Sequence, residues 1–146
     1  GVDWSIGDHA PHAAMRRLVT DLNNSVEHSP ALWQRDTDPT AFEWLDVDDA
    51  EHSIYAFIRW ADEGRSAVVC VANWTPVPRP GYRVGVPWGG EWSVVLDTDR
   101  ETYWGSGHRG ESVTVMARDE QWQGRSACVV FDLPPLAMVW LSAGAP

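Results

Sequence analysis

The chain has 146 residues with 21 acidic against 11 basic side chains, a net charge of 11 − 21 = −10, and every basic residue is an arginine. That length suits one domain with a sizeable core, and the charge sets it against phosphate backbones and anionic lipid, which argues against nucleic acid and membrane as partners. The apolar runs are strand-sized, too short to span a membrane, and the first residues carry no signal-peptide pattern.

Residues 1–9 read as a loop. From Pro11 to about Val26, the apolar positions Met15, Leu18, Val19, Leu22 and Val26 recur at helical spacing and define one face of an amphipathic helix. Pro11 fits the first turn, with Asp8 as a cap or near-cap. Such a stripe must bury itself, and the candidates are the edge of the following domain, a second copy or a neighbouring molecule.

After Ser29-Pro30 the pattern changes to strands, which places a boundary between residues 1–28 and 29–146. Phe42 to Leu45 alternates; Ser53–Trp60 and Arg65–Trp74 flank the turn Asp62-Glu63-Gly64 and read as a hairpin. Three prolines follow within seven residues (Pro76, Pro78, Pro80), a stiff connection that cannot donate to a ladder and belongs at a sheet edge. Further strands are predicted near Tyr82–Val86, Trp92–Leu96, Ser112–Ala117, Ala127–Phe131 and Leu136–Leu141, with Trp92, Val94 and Leu96, and Val113 and Val115, as inward faces. Eight or so short strands with regular turn signals predict a mainly β fold, an antiparallel two-sheet β-sandwich preceded by one N-terminal α-helix.

Cys70 and Cys128 both sit in apolar runs and read as buried, reduced core residues of a cytoplasmic protein. Asn73-Trp74-Thr75 matches a glycosylation sequon and is read instead as turn chemistry. Asp46, Asp48, Asp49 and Glu51 lack the spacing of a calcium loop and read as a solvated turn. His9 and His12 lack a third ligand nearby, and Trp104-Gly-Ser-Gly is a glycine loop rather than a nucleophile elbow. No metal, cofactor or catalytic residue is predicted.

The block Val69 to Pro87, VCVANWTPVPRPGYRVGVP, resembles the C-terminal β-domain of bacterial 1,4-α-glucan (glycogen) branching enzymes, where an apolar strand runs into N-F-T-P-V-P-R and then Y-R-x-G-V-P. Leu32 to Glu51 (LWQRDTDPTAFEWLDVDDAE) resembles the family's entry into that domain, and Leu96 to Gly107 (LDTDRETYWGSG) its L-N-T-D-x-x-x-Y-x-G-S. Leu133 to Leu141 (LPPLAMVWL) is similar to its closing strand. Upstream, Val2 to Trp4 and Arg16 to Asn23 (RRLVTDLN) look like the last loop and helix of the catalytic (β/α)8 barrel. Ser5 to Pro11 departs from the pattern, being shorter and lacking an aromatic that some relatives place there.

The resemblance implies the C-terminal fragment of an α-amylase-superfamily transferase that moves an α-1,4 chain to a 6-hydroxyl in glycogen biosynthesis. That retaining chemistry uses two carboxyl groups about 5–5.5 Å apart, which the resemblance places upstream of Gly1. The fragment would be non-catalytic, stabilising the missing barrel and contacting α-glucan. A free-standing glucan-binding or structural β-domain, or the C-terminal domain of another amylase-superfamily enzyme, are the alternatives.

Ten tryptophans supply the means of contact, since sugars stack their C–H faces on flat rings. Trp60, Trp74 and Trp140 read as core and Trp92 as inward, whereas Trp88, Trp104 and Trp122 sit among polar residues and read as exposed. The resemblance points to Trp44, with Glu43, Asp46 and Asp48 beside it, as a glucan contact or a structural residue at the domain junction. Trp4 and Asp3 would face the barrel's substrate side, and Trp88 and Trp104 complete the candidate set.

Overall fold

In a computed structural model, residues 1, 3–46, 53–61 and 64–145 are described. A short 3-10 turn, Trp4–Asp8, leads into α1 (Ala10–His28), the one α-helix among the described residues. Eight strands follow: β1 (Phe42–Asp46), β2 (Ile54–Trp60), β3 (Ser66–Asn73), β4 (Arg79–Val86), β5 (Gly90–Asp97), β6 (Thr114–Ala117), β7 (Ala127–Leu133) and β8 (Ala137–Gly144). They form a six-stranded sheet in the order β1-β2-β3-β8-β5-β6 and a two-stranded sheet of β4 and β7, antiparallel throughout. The predicted sandwich is the observed fold.

Period-two alternation builds the core. On the large sheet, Ile54, Ala56, Ile58, Val69, Val71, Trp92, Val94, Val139 and Leu141 face inward, where they meet Val84, Val86, Val129, Phe131 and Leu133 of the small sheet. The alternate residues of β3, Val68 and Cys70, are buried on the outer face with Ala31, Leu32, Phe57 and Trp140. β3 is therefore covered on both sides, which explains its unbroken apolar run. Cys70 and Cys128 are both buried with free thiols, and burial pushes the Cys70 thiol upward.

The proline-rich connection acts as predicted. Pro80 lies within β4, which pairs only with β7, and the register shifts between Arg79 and Tyr82 where the ring offers no donor. Asn73 organises the preceding turn: its side-chain amide donates to the Val77 and Pro134 carbonyls, and its Oδ1 accepts from the Thr75 amide and hydroxyl. Further along β4, a Cβ on Gly85 would lie 2.4 Å from the Trp122 carbonyl, so the 122–125 turn can close over the strand only with glycine there.

The helix rests on the sandwich. Ala14 is buried, Leu18 and Leu22 are half-buried, and polar contacts fasten its flank to the 3-10 turn Glu101–Tyr103. Arg17 donates to the Thr102 carbonyl and hydroxyl at 3.0 and 3.1 Å, and the Tyr103 hydroxyl donates to Asp21 at 2.6 Å. Burial, with the Asp21 carboxylate beside it, raises the Tyr103 phenol to about 12. Met15, Val19 and Val26 remain exposed on the other flank. No helix among the described residues is long and apolar enough to cross a membrane.

Five local expectations are corrected. Leu96 is buried on the outer face, with Leu22 and Trp140 beside α1, rather than inward with Trp92 and Val94, because the pairing register shifts between Val94 and Leu96. The helix cap is His9, because Asp8 is taken up in the preceding 3-10 turn. Val113 is exposed because β6 begins only at Thr114. Trp74 is 62% exposed rather than core: β3 ends at Asn73, and the Asn73-anchored turn carries the indole outward. Trp88 is half-buried rather than exposed, since its turn folds back and stacks the ring on Trp92 at 5.6 Å.

Candidate functional site

Pairing of β1 with β2 sets Trp44 opposite Phe57 and Phe42 opposite Arg59. Residues two apart share a face, so Phe42, Trp44, Tyr55 and Phe57 assemble into one aromatic cluster at the sheet edge. Trp44 meets Phe42 at 5.0 Å and 88°, Phe57 at 5.8 Å and 79°, and Tyr55 at 6.5 Å. Phe42, Trp44 and Tyr55 are exposed, Trp44 by 52%. The rings brace one another, and the indole is presented by a rigid strand, a geometry suited to stacking on the apolar face of a sugar.

The carboxylates placed beside Trp44 by sequence do not all lie there. Glu43, the residue before it, points to the opposite face, where it pairs with Arg125 and accepts from Trp60 Nε1 at 3.4 Å. The side chain of Asp46, together with Asp48, Asp49 and Glu51, falls outside the described residues. On the face of this cluster Arg59, opposite Phe42, pairs with Asp36 at 2.8 Å. Phe42, Tyr55 and Phe57 join the site through strand pairing: the spacing Phe42-x-Trp44 and Tyr55-x-Phe57 carries the signal once the two strands are paired.

Trp4 is the most exposed of the large apolar side chains, and Asp3 beside it caps the first 3-10 turn. The Ser5 hydroxyl and amide both donate to Asp3 Oδ1, at 2.6 and 3.0 Å, and hold its carboxyl below the usual range. Trp88 is enclosed between Trp60 and Trp92. Trp104 is 65% exposed, at the end of the turn Glu101–Tyr103. The candidate tryptophans therefore occupy separate places: Trp44 on β1, Trp4 before α1, Trp88 half-buried against Trp92 in the turn after β4 and Trp104 on the loop after β5.

Two recesses flank α1. One, of about 270 Å³, is lined by Leu22, Trp74, Leu96, Leu136, Met138 and Trp140. The other, about 580 Å³, lies near the end of the helix over Ser66, Ser93 and Ser142. Among the described residues, neither has an acidic side chain in its lining. Among the described residues, no cluster of His, Cys, Asp and Glu is placed to hold a metal ion.

The family model described as alpha amylase, C-terminal all-beta domain matches residues 44–144. A 1,4-alpha-glucan branching enzyme GlgB of Pseudomonas syringae pv. tomato is 47% identical over 140 residues, covering 94% of this chain and 18% of that protein. Enzymes of the same name from Thermobifida fusca and Aquifex aeolicus are each 40% identical, over 97% and 96% of this chain and 19% and 22% of their own lengths. The chain thus spans about a fifth of the length of the curated relatives it matches.

Proposed function

The chain belongs to the alpha amylase C-terminal all-beta domain family, and on that footing we propose that it is the C-terminal part of a 1,4-α-glucan branching enzyme. In this reading residues 1–28 are the last loop and helix of a catalytic barrel and residues 29–146 the domain that stabilises it. The parent transfers α-1,4 glucan chains to 6-hydroxyls in glycogen biosynthesis, with catalytic carboxylates on polypeptide outside this chain. The two buried free thiols support a reducing compartment, and we place the enzyme in the cytoplasm.

The observation that carries this reading is the apolar ridge left uncovered by a chain whose own core is closed. Met15, Val19 and Val26 are exposed along α1, with Trp4 and Ile6 before its start and Trp74 and Leu136 beside Leu22 at the smaller recess. Exposed apolar side chains gathered along a helix flank and at a recess beside it mark an interface, and the rest of the longer relatives' polypeptide is the natural occupant. The 146-residue chain incubated with amylose should leave the iodine colour unchanged, while a protein of the relatives' full length should shift it. Branching by the short chain would overturn the placement of catalysis.

Trp44 is the proposed glucan contact of this domain, with its ring cluster as the platform. Trp44→Ala should weaken maltoheptaose binding about tenfold, equivalent to about 1.4 kcal/mol, read from titrated tryptophan fluorescence or calorimetry. Equal affinity in the variant would leave Trp44 a structural role alone. Trp4, Asp3 and Trp88 are weaker members of the set, since Asp3 is committed to Ser5 and Trp88 is enclosed by its neighbours.

A further inference from the structure

The loop between β5 and β6 is held far more firmly than a connection needs. Asp99 accepts from the Ser106 amide, the Ser106 hydroxyl and the His108 amide at 2.8–2.9 Å, while its own carbonyl accepts from the Gly107 amide. Gly105 is pressed so closely on Asp99 that a Cβ would lie 2.2 Å from its carbonyl oxygen. Asp97 accepts from the Asp99 amide and pairs with Arg109, and Thr102 and Tyr103 tie the loop to α1. At the apex Trp104 adopts φ 69° and ψ 20°, the left-handed region that helix ends normally fill with glycine or asparagine.

A bulky aromatic gains nothing for the turn by occupying that position, and a strained conformation kept by such bracing points to use outside the turn itself. Trp104 is 65% exposed, and no aromatic or cation–π contact among the described residues engages its ring. The exposed residues within four positions of it in the chain are Glu101, Thr102, Ser106 and His108, all polar. A protein-docking patch would surround the indole with further apolar surface. One exposed ring fringed by carboxylate, imidazole and hydroxyl groups is instead the composition that recognises a sugar, with stacking on the ring and hydrogen bonds to its hydroxyls.

We infer that the Trp104 loop is a second α-glucan contact, independent of Trp44, an inference that rests on the proposed glucan-binding role of the domain. β5, from which the loop departs, lies four strand positions across the sheet from β1, so the two indoles belong to separate sites. A short chain would occupy either site, and a long one could engage both with enhanced avidity.

The test compares wild type, Trp44→Ala, Trp104→Asn and the double variant by calorimetric titration with maltoheptaose, with the melting temperature of each recorded. Asparagine tolerates the left-handed conformation, so Trp104→Asn should keep or raise the melting temperature. Two sites are expected in wild type; each single variant should weaken one of them about tenfold and leave the other unchanged, and the double variant should weaken both. A Trp104→Asn isotherm identical to wild type, or a melting temperature lowered by that change, overturns the second contact while leaving Trp44 in place. Loss of binding in Trp104→Asn with Trp44→Ala matching wild type removes the Trp44 reading and keeps this one. Wild type that binds no maltoheptaose removes both.

Discussion

Trp92→Ala is expected to lower the unfolding free energy by about 3–5 kcal/mol, the range for removing a large buried aromatic. Trp92 is fully buried between the two sheets, stacked on Trp88 at 5.6 Å and 24°, and its Nε1 donates to the Trp88 carbonyl at 3.1 Å. Trp88 in turn packs on Trp60, over which the Arg125 guanidinium lies. Alanine would empty the inner end of this stack and let Trp88 swing toward water. A domain of ordinary stability has about 5–15 kcal/mol in total, so the variant would lie near the edge of folding. Urea unfolding measures the loss, with an unchanged denaturant slope showing that the folded state itself is intact. Trp92→Phe should recover most of the stability, since it restores ring packing without the donor. A loss under about 1 kcal/mol in the alanine variant would mean the sheets close around a different centre.

The strands were legible because their information is local. Alternation in Trp92-x-Val94, the unbroken run of β3 and the prolines of the following turn each specify a backbone state without reference to distant residues, whereas the register shift that sends Leu96 to the outer face does not show in its spacing. The same holds for the helix, whose period survives in Leu18 and Leu22. Which indoles are covered is not local. Trp74 sits at the end of an apolar strand, yet Asn73 turns the chain one residue earlier through bonds to Val77 and Pro134, the latter 61 residues away. Trp88 stands in a Pro-Trp-Gly-Gly turn that looks solvated, and only its position over Trp92 encloses it. Glu43 reads as a neighbour of Trp44 in sequence, but strand alternation sends it to the opposite face and to Arg125. The aromatic cluster needed the register of β1 on β2, which one strand alone does not give. Likewise, the motif Asp-Thr-Asp after β5 could be matched by pattern, whereas the bracing it provides for Trp104 appears only when Asp97, Asp99 and Arg109 are folded together.

Arg109→Met is expected to remove about 3–5 kcal/mol by leaving a buried carboxylate without its cation. The Arg109 and Asp97 side chains are 4% and 2% exposed, with Nη1 and Oδ2 at 3.3 Å, and the guanidinium also lies 5.4 Å from the centre of the Phe131 ring. Asp97 Oδ1 meanwhile accepts from the Asp99 amide, so the pair anchors both ends of the Trp104 loop to the sandwich. Asp97→Asn removes the charge but keeps an oxygen that can accept from Asp99. In the double variant Arg109→Met/Asp97→Asn no buried charge is left unpaired, and its loss should fall well short of the sum of the two singles, the coupling expected of residues in direct contact. Urea titration of the four proteins measures that cycle. Additive losses would mean that Arg109 acts through its packing on Phe131 and not through Asp97. The same variants connect stability to binding. If the pair holds the loop in place, Arg109→Met should lose the maltoheptaose site assigned to Trp104 while retaining that of Trp44, at a temperature where the sandwich remains folded.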